Sequence, residues 1–360
     1  MARRKQNKKS TKLTLDEQEI ELGDSVIVGA YSTDENREFK NDMSALKYLK
    51  KSYWTTPQDV NINLKEICNN MELTDSKPHN YLERLNLFTK FIQKNPENII
   101  KNRKIDADFV CFRGVLTWLL GSVYNCQGFT LEAVKLKGTI YLALKTVKEQ
   151  PPIHLTIFES CVLTSNPNDE SSSIKKDEFN VVIKRELNGL KILFAAECDG
   201  IISEDVVDSI NKLELSKLIE IKTRFDKDVH YVKTFHDHRK LDFWCQSFIP
   251  SIDIIYLGKR DDQDVVKRIE KLYVKSLEEP EHSAKFWDKD VCLKRLREWL
   301  RHIKTDMSDV DDPCTVFCYE WKERLKKGPQ NDFPVWADQH QNEEFLSCDY
   351  ISFINNLKYN

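Results

Sequence analysis

The stretch LKILFAAECDG, residues 190–200, decides the reading of this chain. It is an apolar run that ends in Glu197-Cys198-Asp199. A second run, KLIEIKT (217–223), places Glu220-Ile221-Lys222 with its glutamate 21 residues after Asp199. Both runs have the β-branched and apolar density of buried strands. In a strand, residues i and i+2 point to one face, with Cβ atoms roughly 6–7 Å apart. Glu197 therefore shares a face with Asp199, and Glu220 with Lys222. If the two strands are neighbours, three carboxylates and one ammonium converge.

Such crowding raises each carboxyl pKa unless something neutralises it. A divalent cation does so, and hard oxygen ligands select Mg2+ or Mn2+ over zinc. One or two such ions lower the pKa of water and clamp the oxygens of a phosphodiester under attack. Lys222 stays protonated among the carboxylates, which casts it as an orienter of water and a charge stabiliser. In a chain with 58 acidic residues, either pattern alone arises by chance on a solvated strand face. The conjunction carries the weight, because acids at the ends of apolar strands are costly unless paired. At this spacing the residues look like the carboxylate-and-lysine core of PD-(D/E)xK-type nucleases.

Outward from this core, EFNVVIKREL (178–187) and IDIIYLGKR (252–260) read as further strands. GFTLEAVKLKGTIYLALKTV (128–147) alternates and breaks at Gly138, as a hairpin does. LDFWCQSFI (241–249) suits a buried helix, with Trp244 and Phe243 as core residues. Gln246 within it either binds a phosphate or nucleotide, or satisfies a buried backbone group. Arg113 interrupts the apolar segment 106–121 and needs an anion, either a phosphate or a carboxylate. The texture is helical from about 43 to 95, with Tyr81, Leu82, Leu85, Phe88, Phe91 and Ile92 on one face. DVCLKRLREWLRHIK (290–304) is an amphipathic helix with Asp290 as its expected N-cap. The polar stretch 164–178 reads as a loop and not as a domain boundary.

Composition narrows the class. The 360 residues are 40% hydrophobic and 31% charged, ample for a core. No apolar run approaches the roughly 18–20 residues that span a bilayer, so no membrane partner is expected. The cysteines lack paired spacing, which points to reduced thiols in a cytosolic or nuclear protein and argues against a zinc centre. A net charge of −3 means that any nucleic acid must be held by a local patch. Residues 1–12 carry six Lys/Arg and read as a solvated tail, a nuclear signal or an RNA-touching arm.

Over roughly residues 22–325 the chain resembles the DXO family of decapping exoribonucleases, which includes the fungal partners of the nuclear 5′-3′ exoribonuclease. The resemblance rests on SALKYL (44–49), FVCFRGVLTWLL (109–120), GTIYLAL (138–144), ILFAAECDG (192–200), LIEIKT (218–223), WCQSFIPSIDIIYLGKR (244–260) and FWDKDVC (286–292). It implies that Arg113 contacts the RNA phosphate and that Glu197, Asp199 and Glu220 hold metal. It further implies the carbonyl of Ile221 as a ligand, Lys222 as the motif lysine, and Gln246 beside the active site. The family's second motif, a glycine and then hydrophobic-any-hydrophobic-glutamate, is met in order by Leu155-Thr156-Ile157-Phe158-Glu159, with leucine in place of glycine. That makes Glu159 the fourth acidic ligand. GFTLE (128–132) fits the pattern literally but lies too close to Arg113.

The resemblance implies an α+β fold of mixed sheets flanked by helices, with a basic flexible tail at 1–20 and one domain at 21–360. It implies a hydrolase dependent on Mg2+ or Mn2+ that acts on RNA 5′ ends. Its substrates would be incomplete, unmethylated or NAD caps and 5′-triphosphates, with possible onward 5′-3′ degradation. A 5′-3′ exoribonuclease partner and a location in the nucleus, or else the cytoplasm, are expected on the same ground. The alternative is a family member that binds RNA ends or a partner protein without cutting.

Overall fold

The two acid-bearing runs form strands, Leu190–Cys198 and Leu218–Phe225, but in different sheets. This is a computed structural model that describes residues 19–69, 81–125, 127–145, 153–171, 176–226, 233–279, 287–322 and 336–357. Residues 1–18, most of the expected tail, lie outside them.

Leu190–Cys198 sits inside a nine-stranded mixed sheet, between Phe109–Phe112, which runs parallel to it, and Glu178–Leu187, which runs antiparallel. Leu218–Phe225 sits inside a seven-stranded sheet, antiparallel to Gly200–Ile201 and parallel to Ile254–Arg260. The chain therefore leaves one sheet at Cys198 and enters the other at Gly200, with Asp199 as the single residue between. Convergence of the acids comes from this seam and not from side-by-side strands.

Two glycines make the seam possible. Asn188 and Gly189 have φ of 46° and 80°, the paired positive values of a two-residue hairpin turn. That turn fixes the register of Leu190–Cys198 on its partner and sets Glu197 opposite Asn180. At Gly200 a Cβ would lie 2.9 Å from Leu163 Cδ2 and 3.1 Å from the Lys47 carbonyl oxygen, so a side chain there would displace Leu163 and crowd that carbonyl.

The central strand is apolar from Ile192 to Ala196 because both faces are covered there. Ile192, Phe194, Ala196 and Cys198 face the core built on helices Arg113–Gly121 and Lys289–Asp306. Leu193 and Ala195 face a second layer with Phe88 and Phe91 of helix Glu83–Lys94. A third cluster packs Ile219 and Ile221 against Ile157 and Phe158 of helix Ile153–Val162.

The expected α+β architecture of mixed sheets flanked by helices is what the structure shows. The hairpin at Gly138 joins Phe129–Leu136 to Thr139–Leu144, and LDFWCQSFI falls in helix Lys233–Phe248. Two expectations fail. Residues 43–95 are not uniformly helical, since Tyr48–Leu49 and Gln58–Asn63 supply strands to the seven-stranded sheet. The N-cap of helix Lys289–Asp306 is Asp288, whose carboxylate accepts from the backbone N–H of Asp290 and Val291 at 2.9 and 3.3 Å. Among the described residues the cysteines are free thiols, and no helix is long and apolar enough to cross a membrane.

Candidate active site

Glu220 is the hub. It is the third residue of strand Leu218–Phe225, between Ile219 and Ile221, and is fully buried. Arg113 and Lys222 each donate to one of its carboxylate oxygens. Arg113 arrives because Phe109–Phe112 runs beside Leu190–Cys198, with Phe112 opposite Ala195, and the helix starts at the next residue. A cation at a helix N-terminus opposes the helix dipole, so Arg113 needs the carboxylate it finds. Burial alone would push the Glu220 carboxyl up, but Arg113 and Lys222 more than offset it and hold it below the usual range. Burial likewise opposes the charge on Lys222, which Glu220 and Asp199 preserve.

The neighbouring acids have no such cover. Asp199 accepts the backbone N–H of Ile221 at 2.7 Å, and its nearest cation, the Lys222 ammonium, is 3.9 Å away. Burial first, then the negative charges of Glu220 and Glu197, push the Asp199 carboxyl up to about 7. Glu159 projects from helix Ile153–Val162 into the same field. Burial and the charge of Asp199 raise its pKa well above the carboxylate range, against the pull of Lys222. A cleft lined by Lys47, Thr156, Glu159, Ser160, Thr164 and Asp177 opens beside it.

Arg113, Glu159, Glu197, Asp199, Glu220, Ile221 and Lys222 are thus brought together. Gln246 reaches the group through its main chain, its carbonyl oxygen lying 3.5 Å from the Arg113 guanidinium. Of the two anions left open for Arg113, the structure supplies the carboxylate. Glu132, at the end of GFTLE, belongs elsewhere: it is buried and accepts from Tyr81 and Lys145 at 2.7 and 2.8 Å.

The sequence reading missed an outer tier. Arg84 donates to Glu197 at 3.1 Å and to Glu178 at 3.3 Å, and its guanidinium lies 4.7 Å over the ring of Phe112. Arg37 donates to Glu83 at 2.8 Å and to the same Glu178 oxygen at 3.0 Å. Both look like ordinary surface charges in the sequence. The one hint is that Arg84 lies next to Leu85, on the border of the buried face of its helix.

The donor set is hard oxygen, and Asp199 and Glu159 are enclosed among like charges, with burial first and those charges next raising their pKa values. Both facts fit a divalent cation. Among the described residues the acids are not already drawn round one point. Instead, protein cations and a backbone N–H hold three of them.

Residues 25–351 match the family described as RAI1 like PD-(D/E)XK nuclease. The chain belongs to this family. Among its relatives, a Drosophila melanogaster protein named decapping and exoribonuclease protein Rai1 is 25% identical over 318 residues, 80% of this chain and 82% of that one. A Xenopus laevis decapping and exoribonuclease protein is 26% identical over 331 residues, 82% of this chain and 79% of that one. The fold matches that of Candida albicans Rai1, crystallised in complex with pU5 and Mn2+. The TM-score is 0.75 at 15% identity, covering 98% of this chain and 100% of the other. The PD-(D/E)xK core expected from the acid and lysine spacing is borne out at the level of family and fold.

Proposed function

We propose that this protein is a divalent-metal-dependent hydrolase of RNA 5′ ends, which removes incomplete, unmethylated or NAD caps and releases pyrophosphate from 5′-triphosphate RNA. The observation that carries the reading is the seam itself. There a nuclease-family chain gathers Glu159, Glu197, Asp199 and Glu220 around Lys222 and Arg113. Relatives named for decapping and a fold neighbour holding RNA and Mn2+ support it.

Glu159, Glu197, Asp199 and Glu220, with the Ile221 carbonyl, would hold Mg2+ or Mn2+. When bound, the ion supplies Lewis acidity and a lowered water pKa. The chain's own residues do the rest. Arg113 and Lys222, kept cationic by the acids around them, offer fixed positive charge to the phosphate oxygens. The Lys222 ammonium donates and does not accept, so it orients water without taking its proton. Gln246 borders the same space. Onward 5′-3′ degradation, an exoribonuclease partner, nuclear residence through the basic tail and a single domain over 21–360 complete the proposal.

The test is hydrolysis of 5′-triphosphate, unmethylated-cap and NAD-capped RNA in Mn2+ or EDTA, for wild type, Glu220→Gln and Asp199→Asn. The expected result is release that needs Mn2+ and falls in both variants. A folded wild type that binds RNA ends and cuts none of the three would establish the non-cutting alternative instead.

A further inference from the structure

Glu197 differs from the other acids of the site. It stands one residue from the end of its strand with 31% of its side chain exposed, so packing alone does not fix its rotamer. Arg84 meets it there, and Arg84 is itself held on three sides. One guanidinium nitrogen is 3.1 Å from Glu197, another is 3.3 Å from Glu178, and the plane covers Phe112 at 4.7 Å. Phe112 is the residue before Arg113, so the ring under Arg84 and the cation on Glu220 share one turn of chain.

Neutralising Glu178 does not explain Arg84, because Arg37 already donates to the same oxygen at 3.0 Å. Nor does stability explain it well, because part-exposed ion pairs contribute little. A forked, planar cation braced on a ring and a second carboxylate is suited to fixing the direction of a third group. We infer that Arg84 is a positioning residue. It holds the outer oxygen of Glu197 and so aims this carboxylate at the divalent cation. The inference rests on the metal-dependent reading above and adds to it the residue that orients one ligand.

The test is calorimetric titration of Mn2+ into the full-length protein without RNA, with a thermal melt of each variant. Arg84→Ala is expected to weaken Mn2+ binding about 10-fold or more, the usual effect of removing a group that orients a ligand. Arg84→Lys, which keeps the charge and loses the fork, should recover part of that loss. Should Arg84→Ala fold poorly, the Lys variant must still show a smaller loss in the same direction. Arg37→Ala, which removes contacts to Glu83 and Glu178 and none to Glu197, should bind Mn2+ as wild type does. Wild-type Mn2+ affinity in folded Arg84→Ala and Arg84→Lys would overturn the inference alone, as would an equal loss in Arg37→Ala. A loss of RNA binding with Mn2+ affinity unchanged would also overturn it, by making Arg84 a substrate contact. Absence of Mn2+ binding by wild type would bring down the metal-dependent reading and this inference together.

Discussion

The two halves of the site solve opposite problems with the same kind of residue. Around Glu220 every carboxylate oxygen meets a protein cation, and its pKa falls although it is fully buried. Around Asp199 and Glu159 the acids outnumber the cations, and their pKa values rise. The first half is an internal salt that holds itself together. The second is short of positive charge that a ligand must supply. Burial raises every one of these carboxyls, and the partners decide whether that rise is reversed.

The sharpest way to break this contrast is Glu220→Ala. It leaves Arg113 and Lys222 buried without their shared partner, which should cost about 3–5 kcal/mol in a urea melt. Asp199→Asn should act in the opposite direction on the metal-free protein. It removes one of several crowded negative charges while its amide oxygen can still accept from Ile221, so at pH 8 in EDTA it should melt no lower than wild type. An Asn variant that melts well below wild type would show that Asp199 is not short of countercharge.

Metal should reveal the same asymmetry. Mn2+ at about 100 times its dissociation constant should stabilise wild type by roughly 2.7 kcal/mol. EDTA should abolish the gain, and Asp199→Asn should lack it. The smallest effect is expected at a surface cluster of the same chemistry. Asp106 meets Lys191 at 2.9 Å and Lys184 at 3.4 Å. Partial burial pulls its pKa up, but the lysines hold it below the usual range. Its contribution is thus present at neutral pH and fades as pH falls through the lowered pKa. Asp106→Asn should cost under about 1 kcal/mol at pH 7 and progressively less as pH falls through that lowered pKa.

The acids of the core were legible because carboxylates at the ends of apolar strands contradict their surroundings, and strand alternation says which of them share a face. The seam was not legible. Periodicity gives a strand and its faces but not the sheet it joins, and the crossing turns on the space around Gly200, which only the folded chain defines. Arg113 stood out because it breaks an apolar run. Arg84 did not, since a charged residue on an amphipathic helix contradicts nothing. The capping aspartate was misplaced by two positions because Asp288 and Asp290 both precede the helical pattern, and local sequence does not choose between them.

The one-residue passage at Asp199 has a consequence for how the protein is made. It divides the acids between two sheets, with Glu197 in one and Glu220 in the other. The Arg113–Glu220 contact across the seam joins residues 107 apart in the chain, and such pairings form late because loop closure must precede them. A chain with only the seven-stranded sheet in place has Glu159, Asp199 and Glu220 but lacks Glu197, the one carboxylate that the nine-stranded sheet supplies. The full set of four carboxylates is thus assembled only when both sheets are in place, which ties metal binding to completion of the fold.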